Sequence, residues 1–211
     1  TTLACPKPIF ILGGMTGTGK TEILQALAVQ GEAILDLEAL ANHRGSSYGN
    51  LGLPPQPSTE HFENLLAIQW SVLKEDRPIW VEAESRMVGT CRIPDELFAQ
   101  MMMAPVFQVE RSRQERIALL LKGYGKIERP ALMTATERLH KRLGGERTRA
   151  AIEWIQQGNL AAAIEIVLDY YDKTYYYDLQ KRQVQIGAIN ITHLSAAASA
   201  ALLIQASQSI H

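Results

Sequence analysis

The sequence predicts an α/β fold: a five-stranded, mostly parallel sheet covered by helices on both faces, with a helical segment added in the C-terminal half. Three observations predict it. Gly14-Met15-Thr16-Gly17-Thr18-Gly19-Lys20-Thr21 fits G-x-x-x-x-G-K-[ST] without a mismatch, between a buried apolar run and a helical pattern. Five short apolar runs alternate with helical stretches, as parallel strands joined by crossover helices do. The 211 residues, 46% apolar and 20% charged, suffice for one such domain with a helical appendage. The expectation is a single P-loop NTPase-like three-layer domain over 1–211, with its core at about 8–130 plus 184–211 and a helical insertion at about 131–178.

Ile9-Phe10-Ile11-Leu12 reads as a buried strand ending in glycines. Residues 20–30 show helical spacing, with Ile23, Leu24, Leu27 and Ala28 on one face, and Gly31 ends the helix. Ala33-Ile34-Leu35-Asp36-Leu37 is the second strand, with Asp36 and Glu38 at its carboxyl end. A loop follows, from His43-Arg44-Gly45-Ser46-Ser47-Tyr48-Gly49 to Pro54-Pro55-Gln56-Pro57. Ser58 or Thr59 caps a helix to about Glu75 that buries Phe62, Leu65, Leu66, Ile68 and Leu73. Ile79-Trp80-Val81 is the third strand and runs into Glu82-Ala83-Glu84-Ser85. A short helix near 94–103, whose Met101, Met102 and Met103 read as core packing, precedes the fourth strand, Val106-Phe107-Gln108-Val109. Helices are predicted at about 111–122, 131–143, 147–157 and 159–171. Val184, Ile186, Ile189 and Ile191 outline a fifth strand, and 195–207 an Ala-rich terminal helix.

The glycine-rich run is a phosphate cradle in this context. Glycines let successive backbone N–H groups turn toward phosphate oxygens, and the helix N-terminus adds partial positive charge. Gly14 to Thr21 are therefore expected to bind the phosphates, with Lys20 neutralising the terminal ones and Thr21 ligating Mg²⁺. A carboxylate at the end of a neighbouring strand completes a magnesium site, and Glu82, Glu84 and Asp36 are the candidates. Arg111, Arg113 and Arg116 follow the fourth strand on the same edge, where a lid would carry arginines onto phosphates.

Residues 111–149 hold eleven bases against four acids, a net +7 that leaves −8 for the rest of a chain of net charge −1. Such asymmetry points to a polyanionic partner or to phosphate clamping, against solvated helix faces as the alternative. Cys5 and Cys91 form no disulfide framework and no zinc spacing, which favours a reducing cytoplasm. No apolar run reaches the about 18 residues of a membrane span, and the first residues resemble no signal peptide. The absence of an initiator Met suggests a processed chain or a piece of a longer one.

The heptad His43 to Gly49, the strand Ile34-Leu35-Asp36-Leu37-Glu38, the cradle Gly13 to Thr21, and Trp80-Val81-Glu82-Ala83-Glu84-Ser85-Arg86 with Ile93-Pro94 occur in that combination. Together they resemble the C-terminal P-loop domain of tRNA 2-selenouridine synthase, over about 9–177. The resemblance implies a transferase that modifies the wobble uridine in the anticodon region of tRNA, replacing the sulfur of 2-thiouridine with selenium from selenophosphate through an S-geranylated intermediate. It implies geranyl diphosphate, or ATP or GTP, in the P-loop with Mg²⁺. It also implies His43, Arg44, Ser46 and Ser47 around the diphosphate or the anticodon nucleotide. An N-terminal rhodanese-like domain with a catalytic cysteine is associated with selenium transfer in the family. Neither Cys5 nor Cys91 lies in such a loop, so selenation by this chain alone is not expected. Tyr124 can stack on an unpaired base, and the tyrosines at 170–177 read mainly as helix packing. Two alternatives stand beside this reading: an ATP-dependent small-molecule kinase of the nucleotide-kinase type, and a nucleotide-gated RNA-binding module.

Overall fold

A computed structural model describes residues 2–180 and 185–209. After a 3₁₀ turn at Thr2–Ala4, the elements are β1 (Ile9–Gly14), α1 (Lys20–Val29), β2 (Ala33–Leu35), α2 (Leu37–Ala41), α3 (Thr59–Val72), β3 (Ile79–Glu82), β4 (Met87–Val88) and β5 (Cys91–Arg92). They continue with α4 (Asp95–Met103), β6 (Val106–Glu110), α5 (Arg113–Tyr124), α6 (Arg129–Glu137), α7 (His140–Leu143), α8 (Gly145–Gln156), α9 (Leu160–Leu179), β7 (Gln185–Asn190) and α10 (Ala196–Gln208).

The main sheet has the order β2-β3-β1-β6-β7, with every pair parallel. It is buried on both faces, as a parallel sheet requires. Alternate residues of β1 serve the two sides. Ile9 and Ile11 pack with Leu35, Ile79, Val81, Phe62, Leu66, Trp70 and Leu97 under α3 and α4. Phe10 and Leu12 pack with Trp80, Phe107, Ile23, Leu27 and Leu203 under α1 and α10. Phe10, Trp80 and Phe107 meet at centroid distances of 4.9–5.2 Å. A third cluster joins Leu132, Leu139, Leu143, Ala151, Ile155, Ala163 and Val167 of α6–α9 to Tyr48 and Leu51.

The five expected main-sheet strands are present, though Val184 lies outside the described residues. Several boundaries differ. The second strand stops at Leu35, because the Asp36 carboxylate accepts the Ala39 N–H and caps α2. The hairpin of β4 and β5 was not expected from the sequence. In α3 the buried face carries Phe62, Leu66 and Trp70, while Ile68 is 63% exposed. Met101 is buried, but Met103 is exposed at the end of α4. The expected helix over 131–143 divides into α6 and α7 around Arg138 and Leu139.

Candidate functional site

The carboxyl ends of β1 and β3 and the end of β2 open at the point where strand order reverses, the usual ligand crevice of an open α/β sheet. The cradle lies there. Gly17 and Gly19 both take φ 84°, a left-handed conformation that favours glycine. A Cβ on Gly17 would lie 3.0 Å from the Arg116 carbonyl oxygen, so α5 closes directly on the loop. Lys20 Nζ donates to Gly14 O at 3.1 Å, and Thr18 Oγ1 donates to Met15 O at 2.8 Å.

The arginines beyond β6 sit beside this loop in a different role from the one expected. Arg116 is 2% exposed; its Nε donates to Thr16 O at 2.8 Å and its two terminal nitrogens donate to the Asp172 carboxylate. Arg111 Nε donates to Thr18 O at 3.1 Å. Arg113 donates to Asp169 and to Glu165 O. Arg113 and Arg116 are therefore held by acids of α9 rather than presented free to a phosphate. Arg111 and Arg116 hold two cradle carbonyls.

Glu82 ends β3 opposite Leu12 and is 1% exposed. One of its carboxylate oxygens has no hydrogen-bond partner. Glu38, Glu82 and Glu84 each offer an oxygen within 4.8 Å of the others. Thr21 Oγ1 donates to Glu38 at 3.0 Å. Burial, and after it the Glu38 charge, raises the Glu82 carboxyl well above its ordinary range. Burial also raises Glu38, against the pull of Lys20. Three carboxylates, one of them with an orphaned buried oxygen, and a threonine hydroxyl make an all-oxygen donor set that suits a hard divalent cation such as Mg²⁺. Glu38 was the member not singled out from the sequence; it stands two residues after Asp36, in the first turn of α2. Asp36 is occupied differently, since one oxygen caps α2 and the other accepts from Gln25 Nε2 at 2.6 Å. That leaves it beside the cluster as a charge.

The segment 43–49 forms a tight roof over these carboxylates. His43, 7% exposed, accepts the Gly45 N–H at Nδ1 (3.1 Å), and burial lowers its pKa. A Cβ on Gly49 would lie 2.6 Å from the imidazole. Gly45, at φ 66°, would place a Cβ 3.0 Å from both Glu38 and Glu84 oxygens, so only glycine lets the roof approach the acids this closely. Arg44 donates to Leu51 O and stacks over Tyr124 at 5.8 Å. Ser47 N–H donates to the Tyr171 hydroxyl (3.0 Å), and the Tyr48 hydroxyl meets Thr136 Oγ1 at 2.8 Å. His43 and Arg44 thus build the roof. Tyr124 is half-buried between Tyr48 and Arg44 rather than displayed for a base.

Beneath the roof an apolar cavity of about 50 Å³ begins at Thr16 of the cradle and Ser46 of the roof. Leu120, Leu132, Ala163, Val167 and Leu168 form much of its wall, with the rings of Tyr48, Tyr124 and Tyr171. Sequence periodicity did not reveal it, because wall residues on amphipathic helices read as ordinary core.

A parallel α/β sheet with a glycine-rich loop between β1 and α1, a lysine across that loop and carboxylates at the adjoining strand end places the chain among P-loop-like α/β folds. Within that class, residues 7–129 match the family described as the tRNA 2-selenouridine synthase AAA domain, and the chain belongs to that family. A tRNA 2-selenouridine synthase of Marinobacter nauticus is 35% identical over 83% of this chain and 55% of its own length. One from Pseudomonas syringae pv. syringae is 37% identical over 84% and 56%. The chain spans about half the length of the curated relatives it matches. An uncharacterized protein from Eubacterium ventriosum, of solved structure, aligns over 97% of this chain at 13% identity with a TM-score of 0.44, too loose to define a shared fold. Among the described residues no helix is long and apolar enough to cross a membrane.

Proposed function

We propose that this chain is the P-loop part of a cytoplasmic tRNA wobble-uridine-modifying transferase, and that its ligand is geranyl diphosphate. The observation that carries this reading is the apolar cavity that starts at the phosphate cradle. A diphosphate joined to an isoprenoid tail has the same division, with an anionic head for Gly14–Thr21 and a hydrocarbon for the wall of α5, α6, α8 and α9. The cavity is about a third of the roughly 150 Å³ that accommodates benzene in an engineered cavity. Seating the tail therefore displaces side chains such as Leu120 and Leu168.

In the proposed reaction the thiocarbonyl sulfur of the tRNA base attacks the allylic carbon of geranyl diphosphate. A C–S bond forms, the C–O bond breaks, diphosphate leaves with the electron pair, and the base gives up its N3 proton to solvent. Cradle N–H groups and Lys20 stabilise the charge that develops on the leaving group. Thr21, Glu38, Glu82 and Glu84 would hold Mg²⁺, which supplies further charge neutralisation to the diphosphate. Gly45 keeps the roof close over that cluster, and Arg111 and Arg116 hold the cradle in shape. Selenium transfer belongs to the rhodanese-like part associated with the family.

The kinase reading drew on free lid arginines, and their pairing with Asp169 and Asp172 removes that support. Mass spectrometry of an anticodon stem-loop bearing 2-thiouridine, after incubation with this chain, Mg²⁺ and geranyl diphosphate, tests the proposal. The expected product is the S-geranyl adduct. Recovery of unaltered RNA, with a small acceptor phosphorylated from ATP instead, contradicts it.

A further inference from the structure

Of the eleven bases in 111–149, Arg111, Arg113 and Arg116 are consumed by pairing with Glu115, Asp169 and Asp172. The other eight are exposed, and among the described residues none of them forms an ion pair. Five of them, Arg138, Lys141, Arg142, Arg147 and Arg149, fall within the twelve residues 138–149, where Glu146 is the sole acid. This stretch is the corner at which α7 turns into α8.

The fold fixes which way the corner faces. Leu139 and Leu143 are buried in the cluster that contains Tyr48 and Leu51. Helical spacing then puts Arg138, Lys141 and Arg142 on the opposite, solvent side. The corner also adjoins the candidate site, because the Tyr48 hydroxyl of the roof is bonded to Thr136, two residues before Arg138. Five unpaired cations in one short corner repel one another, in a chain whose net charge is −1. A corner with five bases against one acid, in a chain that is net acidic, suits a polyanion with regularly spaced charges.

We infer that the α7–α8 corner is the docking surface for the RNA phosphate backbone, and that it guides the strand toward the roof at 43–49. This rests on the proposed tRNA substrate and adds where on the chain that substrate is held. The contacts are to phosphate, so they supply affinity and register rather than base recognition.

The test is fluorescence anisotropy of a labelled tRNA transcript with the full chain, across a salt series. Each lost phosphate contact lowers the slope of log K against log salt by about 1. Arg138→Gln, Lys141→Gln and Arg142→Gln combined should therefore lower it by about 2 to 3 and weaken binding by about tenfold or more at roughly 0.1 M salt. A control with Lys74→Gln and Arg77→Gln, exposed bases outside the corner, should keep the wild-type slope. Binding of Mg²⁺–diphosphate by calorimetry should be the same in all three proteins. An unchanged slope in the triple variant overturns the surface, and an equal loss in the control overturns its location. Loss of the slope with no diphosphate binding in any protein would instead defeat the proposed reaction and leave the surface standing.

Discussion

Three residues decide whether the candidate site can hold an anion and a cation side by side. Lys20 is the ammonium group bonded across the cradle, and Lys20→Ala should weaken diphosphate binding by about 10- to 150-fold, the worth of a charged hydrogen bond of about 1.5–3 kcal/mol. Retention of tRNA by the same variant should be largely intact, as filter binding would show. Glu82 carries the orphaned buried oxygen, so diphosphate should raise the melting temperature of wild type in a Mg²⁺-dependent way, and Glu82→Gln should lose that rise. His43 is a pH element. Its pKa is lowered in the folded chain, so below the unfolded value of about 6.5 the unfolded chain takes up the proton more readily. Stability should fall as pH drops from there toward the folded pKa, and protonation also removes the Nδ1 acceptor for Gly45 N–H. Melting curves of wild type and His43→Asn between pH 7.5 and roughly 5 check this: the variant's curve should be flatter.

At the scale of elements, α5 and α9 support the cradle from behind. Arg116 is almost fully buried and is shared between Thr16 O and Asp172. Asp172→Asn leaves that guanidinium without its counter-charge, and denaturant unfolding should show a loss on the order of 3–5 kcal/mol. The same helices make the cavity wall. Ala163→Leu fills space at the wall and should weaken geranyl diphosphate binding while inorganic diphosphate binds as before. The sequence made the cradle legible because strand, glycines, lysine and helix are local and contiguous. It made Arg116 look like a lid residue, because its partner lies 56 positions away on α9. Asp36-Leu37-Glu38 read as a strand end because its alternation masks a capping aspartate followed by helix formers. The cap turns Glu38 toward Thr21, and a capping reading of Asp36 would have found it.

At the scale of the molecule, unbroken apolar runs alternating with helical stretches were enough to predict a sheet buried on both faces, and the two clusters around that sheet match it. The third cluster was not legible. Periodicity marks which helix face is apolar, but not whether packed faces leave a void, or that the void meets a loop a hundred residues earlier. That void separates a prenyl diphosphate from a bare phosphate as ligand, so affinity for the two tests the account most directly. Calorimetric titration with geranyl diphosphate, inorganic diphosphate and ATP, each with Mg²⁺, should rank geranyl diphosphate first. The margin over inorganic diphosphate should be about a hundredfold or more, since each buried methylene contributes about 0.8 kcal/mol and only part is spent opening the cavity. Equal affinity for geranyl and inorganic diphosphate, or tighter binding of ATP than of both, would contradict it.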